Sequence, residues 1–92
     1  MQGTRLPDLT WEDRNGIPLI EPGGYRRTQH PDGSWHWYCC TPNNHHGNLG
    51  AHEVTEHEDG TITASPSILI SGGAEGGELW HGYLEHGVWR EC

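Results

Sequence analysis

Ser34-Trp35-His36-Trp37-Tyr38-Cys39-Cys40-Thr41-Pro42-Asn43-Asn44 carries the clearest strand pattern in the chain. Trp35, Trp37 and Cys39 alternate with His36, Tyr38 and Cys40 in a run of strand-favouring aromatics, the two-residue period of a β-strand. Thr41 to Asn44 supplies the turn chemistry that closes it, and His45-His46-Gly47-Asn48 continues as loop. Downstream, residues 51–57 and 61–64 read as two strands around Glu58-Asp59-Gly60. A two-residue Asp59-Gly60 turn would pair Val54 with Ser65 and scatter the apolar residues over both faces. A three-residue loop with Gly60 in the left-handed conformation pairs Val54 with Ala64 and Glu56 with Ile62. This keeps Val54, Ile62 and Ala64 on one face and is the expected register.

Ser65-Pro66-Ser67 is expected to interrupt the chain before Ile68-Leu69-Ile70, a run too short for a helix and suited to a buried strand. Ser71 to Gly77, with four glycines, reads as a flexible connection without the lysine or following helix of a phosphate-binding loop. Residues 79–85 and 88–91 form a terminal hairpin. Its register is open: a His86-Gly87 turn sets His81 across from Cys92, whereas a Glu85-His86-Gly87 loop sets Trp80 across from Cys92. Toward the N-terminus, Leu6-Pro7, Ile17-Pro18, Glu21-Pro22-Gly23-Gly24 and His30-Pro31-Asp32-Gly33 leave no room for an ordinary helix. The expected architecture is therefore mainly β. It is a small single-domain antiparallel sheet or β-roll/sandwich over residues 34–92, with an irregular Pro/Gly-rich arm over residues 1–33.

A chain of 92 residues makes one domain with a thin core. Only 32% of its residues are hydrophobic and Phe is absent, so the five Trp must supply much of the buried area. The formal net charge is −8, with five scattered Arg and no Lys. That pattern argues against nucleic acid and anionic lipid and favours a basic partner. The longest apolar run, Ile68-Leu69-Ile70, is far too short to cross a membrane. Residues 1–10 lack a basic start followed by an apolar stretch, and three Cys without an export signal suggest reduced thiols or metal ligands.

Cys39, Cys40, His45, His46, His81 and Cys92 are the candidate metal ligands, with zinc as the metal such N and S donors would hold. No Cys-x-x-Cys pair is present, and adjacent residues on a strand point to opposite faces. The alternative is that Cys39 and Cys40 are small packed residues and the histidines are polar surface groups. A Cys-His nucleophile pair, Cys39 or Cys40 with His45 or His46, has no evident pocket, and no catalytic residue is assigned. Trp11, Tyr25, Arg26, Trp80 and Trp89 are the candidate protein-binding residues, since Trp, Tyr and Arg dominate such surfaces. Their alternative role is to fill the core.

Two segments carry a resemblance. Thr61-Ile62-Thr63-Ala64-Ser65-Pro66-Ser67-Ile68-Leu69-Ile70, followed by residues 79–92, resembles a family of short phage-encoded proteins with a domain of unknown function. The resemblance covers roughly residues 38–92. It implies Cys and His positions near Cys39 or Cys40, His45 or His46, His81 and Cys92. Trp80 stands where that family often has a Cys, and the upstream Cys-rich stretch is reduced to Cys39-Cys40. The Arg-only, Gly-rich composition suits a phage of an actinobacterial host. The functional expectation is a non-enzymatic accessory protein that binds a host protein in the bacterial cytoplasm, either as a monomer or as a homo-oligomer. The alternatives are a virion decoration protein, with the arm as docking strap, and a zinc or thiol enzyme.

Overall fold

Eight strands form two four-stranded sheets in the computed structural model, which describes residues 1–14, 20–72 and 77–92. The first sheet has the order β1 (Thr4–Arg5), β2 (Gly24–Gln29), β3 (Trp35–Cys40), β4 (His46–Asn48). The second has β5 (Glu53–Glu56), β6 (Ile62–Ser71), β7 (Glu78–Glu85), β8 (Val88–Glu91). All pairs are antiparallel except β1 with β2. A single 3-10 turn, Trp11–Arg14, is the one helical element among the described residues. The expectation of a mainly β domain is met.

The segment expected to be an arm is folded onto the sheets. β2 lies inside the first sheet, between β1 and β3, and Leu9 continues the parallel pairing by bridging to Thr28. β2 escapes a hydrophobicity reading because Gly24-Tyr25-Arg26-Arg27-Thr28-Gln29 has only one apolar side chain, Tyr25. Residues 1–3 run along β8: Gly3 N–H donates to Gly87 O at 2.7 Å, and Trp89 N–H to Met1 O at 2.8 Å. Residues 15–19, including the arm's Ile17 and Leu19, lie outside the described residues, as do residues 73–76 of the glycine-rich connection.

The first hairpin of the second sheet has the expected register, Val54 opposite Ala64 and Glu56 opposite Ile62. The terminal hairpin takes the two-residue turn, pairing Leu84 with Trp89 and Glu85 with Val88. Core filling explains the choice, because this register puts Trp89 on the same face as Trp80 and Leu84, all three buried. The longer loop would have turned Trp89 toward Tyr83 and solvent. His86 (φ 46°) and Gly87 (φ 74°) supply the two left-handed residues such a turn requires. Ser65-Pro66-Ser67 does not end a strand. Instead, three residues of β6 stand opposite the single residue Tyr83 of β7, between the pairs Ala64–Leu84 and Ile68–Gly82. His46–Asn48, expected as loop, pairs with β3.

The core lies between the sheets. Tyr25 and Cys39 come from the first sheet, Ile62, Ala64, Ile68, Trp80, Leu84 and Trp89 from the second, and Leu49 from the connection. Trp80 and Trp89 meet edge to face, with centroids 5.4 Å apart.

The two sheets share a turn. Thr28-Gln29-His30-Pro31-Asp32-Gly33-Ser34 and Thr55-Glu56-His57-Glu58-Asp59-Gly60-Thr61 match at a spacing of 27 residues, and their hydrogen bonds coincide. His30 N–H donates to Ser34 O at 2.8 Å and His57 N–H to Thr61 O at 2.8 Å. Asp32 Oδ1 accepts from the Ser34 hydroxyl at 2.6 Å and Asp59 Oδ1 from the Thr61 hydroxyl at 2.6 Å. These bonds hold both carboxyls below the usual carboxylate range. Gly33 and Gly60 both sit at φ 87°, and a methyl group at either would meet nothing within 4 Å. Their role is conformational alone. Gly33→Ala and Gly60→Ala are each expected to lower stability by about 1–2 kcal/mol, the cost of a left-handed non-glycine residue, with urea unfolding midpoints shifting by similar amounts.

Candidate functional site

β2 and β3 present one face on which arginine and tryptophan alternate. Arg27 is paired with Trp37, and Gln29 with Trp35. The Arg27 guanidinium lies 4.6 Å from the Trp35 ring centroid and 6.0 Å from that of Trp37, while the Arg5 guanidinium lies 4.8 Å from the Trp37 centroid. Asp8 closes the stack by accepting from Arg5 at 3.0 Å and Arg27 at 2.6 Å. Arg5 also reaches Glu56 Oε2 at 2.8 Å and Gly60 O at 2.7 Å. Burial pushes the Asp8 carboxyl up, but the hydrogen bonds from Arg27 and Arg5 outweigh it and hold the group below its usual value. The stack is a chain of cation–π and charge-assisted contacts that fixes long side chains in single conformations.

Trp35 ends the stack and is 39% exposed. Trp11, 38% exposed, is tied to the same strand pair: its backbone N–H donates to Oε1 of Gln29, the cross-strand partner of Trp35, at 3.3 Å. Thr10, Trp11, Glu12, Gln29, His30, Pro31 and Gly33 line a depression of about 340 Å³ next to this pair. At the turn, the His30 and His36 rings are 3.9 Å apart, and His30 Nε2 is 2.9 Å from the Tyr38 hydroxyl.

Of the residues expected to bind protein, Trp11 is at the surface. Tyr25, Arg26, Trp80 and Trp89 are buried at 1%, 5%, 3% and 2% exposure, so they build the fold rather than a binding surface. The physical reason is the shortage of other large side chains for the core. Sequence reasoning missed the exposed Trp35 and the half-buried Arg27 stacked on it. The two-residue period could have found them, since it puts Arg27 with Trp37 on one face and Arg26 on the other.

The candidate metal ligands are divided between the sheets. Cys39 and Cys40 are fully buried in β3, and Cys40 Sγ donates to Asn44 Oδ1 at 3.4 Å. His46 Nε2–H donates to the Ile20 carbonyl at 3.2 Å, and His45 is anchored through its backbone N–H to Thr41 Oγ1. His81 and Cys92 are brought together on the second sheet, where Cys92 N–H donates to His81 O at 2.9 Å. The His81 ring itself meets the Ser67 hydroxyl at 2.9 Å. Among the described residues, no three or more His, Cys, Asp or Glu side chains are grouped to hold a metal ion, so these residues do not assemble a four-ligand zinc site. Of the Cys-His pairs considered from the sequence, Cys40 and His46 are brought opposite each other across β3 and β4, but the Cys40 thiol is directed to Asn44 and the His46 ring to the Ile20 carbonyl.

Burial, with a smaller contribution from Cys40, pushes the Cys39 thiol up to about 12, and burial also raises Cys40. Neither is a thiolate near neutral pH. Every described Arg side chain is either paired with a carboxylate (Arg5, Arg27, Arg90) or buried (Arg26), which leaves the acidic residues to set the sign of the surface. No helix among the described residues is long and apolar enough to cross a membrane. No family model, curated protein or solved structure matches the chain.

Two outcomes follow from this geometry. At pH 8, Ellman's reagent is expected to titrate Cys92 alone in the native protein and all three thiols in guanidinium; rapid reaction of three native thiols would contradict the burial of Cys39 and Cys40. Asp8→Asn is expected to cost about 0.5–1 kcal/mol at pH 7. Because folding depresses the Asp8 pKa, its contribution is complete above the ordinary carboxylate range and is lost as pH falls through the folded value. The stability gap between wild type and variant therefore closes in acid, which urea titrations at pH 7 and pH 3 would measure.

Proposed function

We propose that the chain is a small non-enzymatic accessory protein, phage-encoded, that acts by binding a host protein in the bacterial cytoplasm. The observation that carries this reading is the Trp35–Arg27–Trp37–Arg5 stack, which holds the exposed Trp35 indole against Arg27, with a second exposed indole, Trp11, tied by its backbone to Gln29, the cross-strand partner of Trp35. Rigid aromatic side chains lose little conformational freedom on binding and anchor many protein interfaces. Glu12 lines the depression and Asp32 follows its lining residue Pro31, while Arg5 and Arg27 are balanced by Asp8 and Glu56, so the surplus charge here is negative and the complementary partner surface is cationic.

Two observations weigh against the alternatives. Among the described residues of the arm, 1–9 and 24–29 are hydrogen-bonded to their own sheets, which counts against a free strap for docking to a virion. His46 is the cross-strand partner of Cys40, but Cys40 Sγ donates to Asn44 Oδ1 and the His46 ring is engaged with the Ile20 carbonyl, and both thiols are fully buried, which disfavours a thiol enzyme.

The test is affinity capture from lysate of an actinobacterial host with the wild-type chain and with Trp11→Ala/Trp35→Ala, both verified as folded by near-ultraviolet circular dichroism. A partner retained by the wild type and reduced at least tenfold by the double variant is expected, with retention falling as salt rises. Equal retention by both proteins would sink the assignment of this surface.

A further inference from the structure

The outer face of the second sheet is chemically unlike the rest of the molecule. Along β7, Trp80, Gly82 and Leu84 point into the core, which turns Leu79, His81 and Tyr83 outward. Leu79 is 37% exposed and Tyr83 39%, and Leu69, opposite His81 on β6, is 53% exposed. These are half of the exposed large hydrophobic residues, gathered on two neighbouring strands. Among the described side chains, the one carboxylate on this β7 strip is Glu85, and Arg90 neutralises it while stacking 5.4 Å from the Tyr83 centroid. In a chain of net charge −8, this is a strip without net charge.

The same face has a projection and a recess. Leu69 stands out from β6. Three residues earlier, the two extra residues at Ser65-Pro66-Ser67 push β6 out of register with β7 and leave a depression of about 310 Å³, bordered by Pro66, Tyr83 and Arg90. Projection and recess are thus about 10 Å apart along one strand.

We infer that this face is the interface between two copies of the chain, related by a two-fold axis, with Leu69 of each copy seated in the Pro66–Tyr83 depression of the other. A two-fold contact requires that one patch carry both halves of the complementarity, which the neighbouring projection and recess provide. The charge pattern selects the same occupant. A cationic partner gains little from a neutral strip, whereas two copies of an anionic chain can approach only where neither presents net charge. The area sets the strength. Ten residues of β6 span roughly 33 Å and the three strands β6 to β8, which leave out Glu53 on β5, roughly 10–14 Å, so the contact buries on the order of 300–450 Å² per copy. A contact of that size makes a weak dimer. This surface is separate from the Trp11–Trp35 surface and does not depend on it.

Sedimentation equilibrium of the full chain under reducing conditions, from about 5 to 300 µM, tests the inference. The expected result is a monomer–dimer equilibrium that tightens when salt rises from about 0.1 to 0.5 M, because screening removes repulsion between like-charged copies. Leu69→Asp is expected to weaken it at least tenfold, and Trp35→Ala to leave it unchanged. Leu69 is exposed enough for the variant to fold; should it not, Tyr83→Asp carries the same expectation. A monomer throughout the range, a dimer indifferent to both outer-face variants, or a dimer lost with Trp35→Ala would each overturn the inference.

Discussion

The indole of Trp89 holds together three parts of the chain that are distant in sequence. It is buried against Trp80, its Nε1–H donates to Gly23 O at 2.9 Å where β2 begins, and its backbone exchanges hydrogen bonds with Met1. One residue of β8 thereby joins the second sheet, the entry to the first sheet and the N-terminal segment. A domain of this size with few aliphatic residues needs side chains that bury much area and still satisfy their polar atoms, and an indole does both. The terminal hairpin's register follows from this requirement. Only the two-residue His86-Gly87 turn aims Trp89 inward, so the left-handed conformation at a non-glycine residue is maintained by the burial it makes possible.

The repeated Thr-x-His-x-Asp-Gly turn shows how a thin core can still specify strand pairing. In each copy the aspartate accepts two bonds from the Ser or Thr two residues on, and the glycine takes the one conformation that would strain any other residue. Register is thus fixed locally before the sheets pack. The leading histidines are used differently: His30 leans on His36, whereas His57 stacks on His86 at 3.7 Å and bonds to Thr63, tying the two turns of the second sheet together. A common turn has been adapted to two surroundings.

Legibility in the sequence followed the strength of alternation. β3 and the β5–β6 hairpin were readable because aromatic or aliphatic residues recur every second position and a single glycine discriminates between registers. β2 was not, since apart from Tyr25 its residues are glycine, arginine, threonine and glutamine, and two of its long side chains, Arg26 buried and Arg27 stacked on indoles, are cations that a hydropathy pattern assigns to solvent. The bulge at Ser65–Ser67 was read as a break because proline interrupts pairing in either case, and only the partner strand reveals that β6 resumes. At the candidate site, composition pointed to the right residue types, Trp and Arg, but not to which are exposed. That depends on the face each strand turns to the core, a property of pairing rather than of sequence spacing. The repeat at 27 residues was legible in principle and needed only the His30 and His57 turns to be aligned with each other.

The disposition of charge separates the two outward surfaces. Arg5 and Arg27 are drawn into the stack by Asp8 and Glu56, and Arg90 is held by Glu85, so these three cations, among the described side chains, are spent on internal contacts. On the first sheet the consequence is an anionic rim around exposed indoles, attractive to a cationic surface at long range and weakened by salt. On the second sheet it is a neutral strip, whose association is opposed by the remaining charge of the molecule and strengthened by salt. The same arginines would have given a different protein had they been free. Unpaired, they would have offset the acidic rim at Trp35 and left Glu85 as an uncompensated charge in the middle of the outer face. Pairing inside the fold is therefore what gives each surface its character.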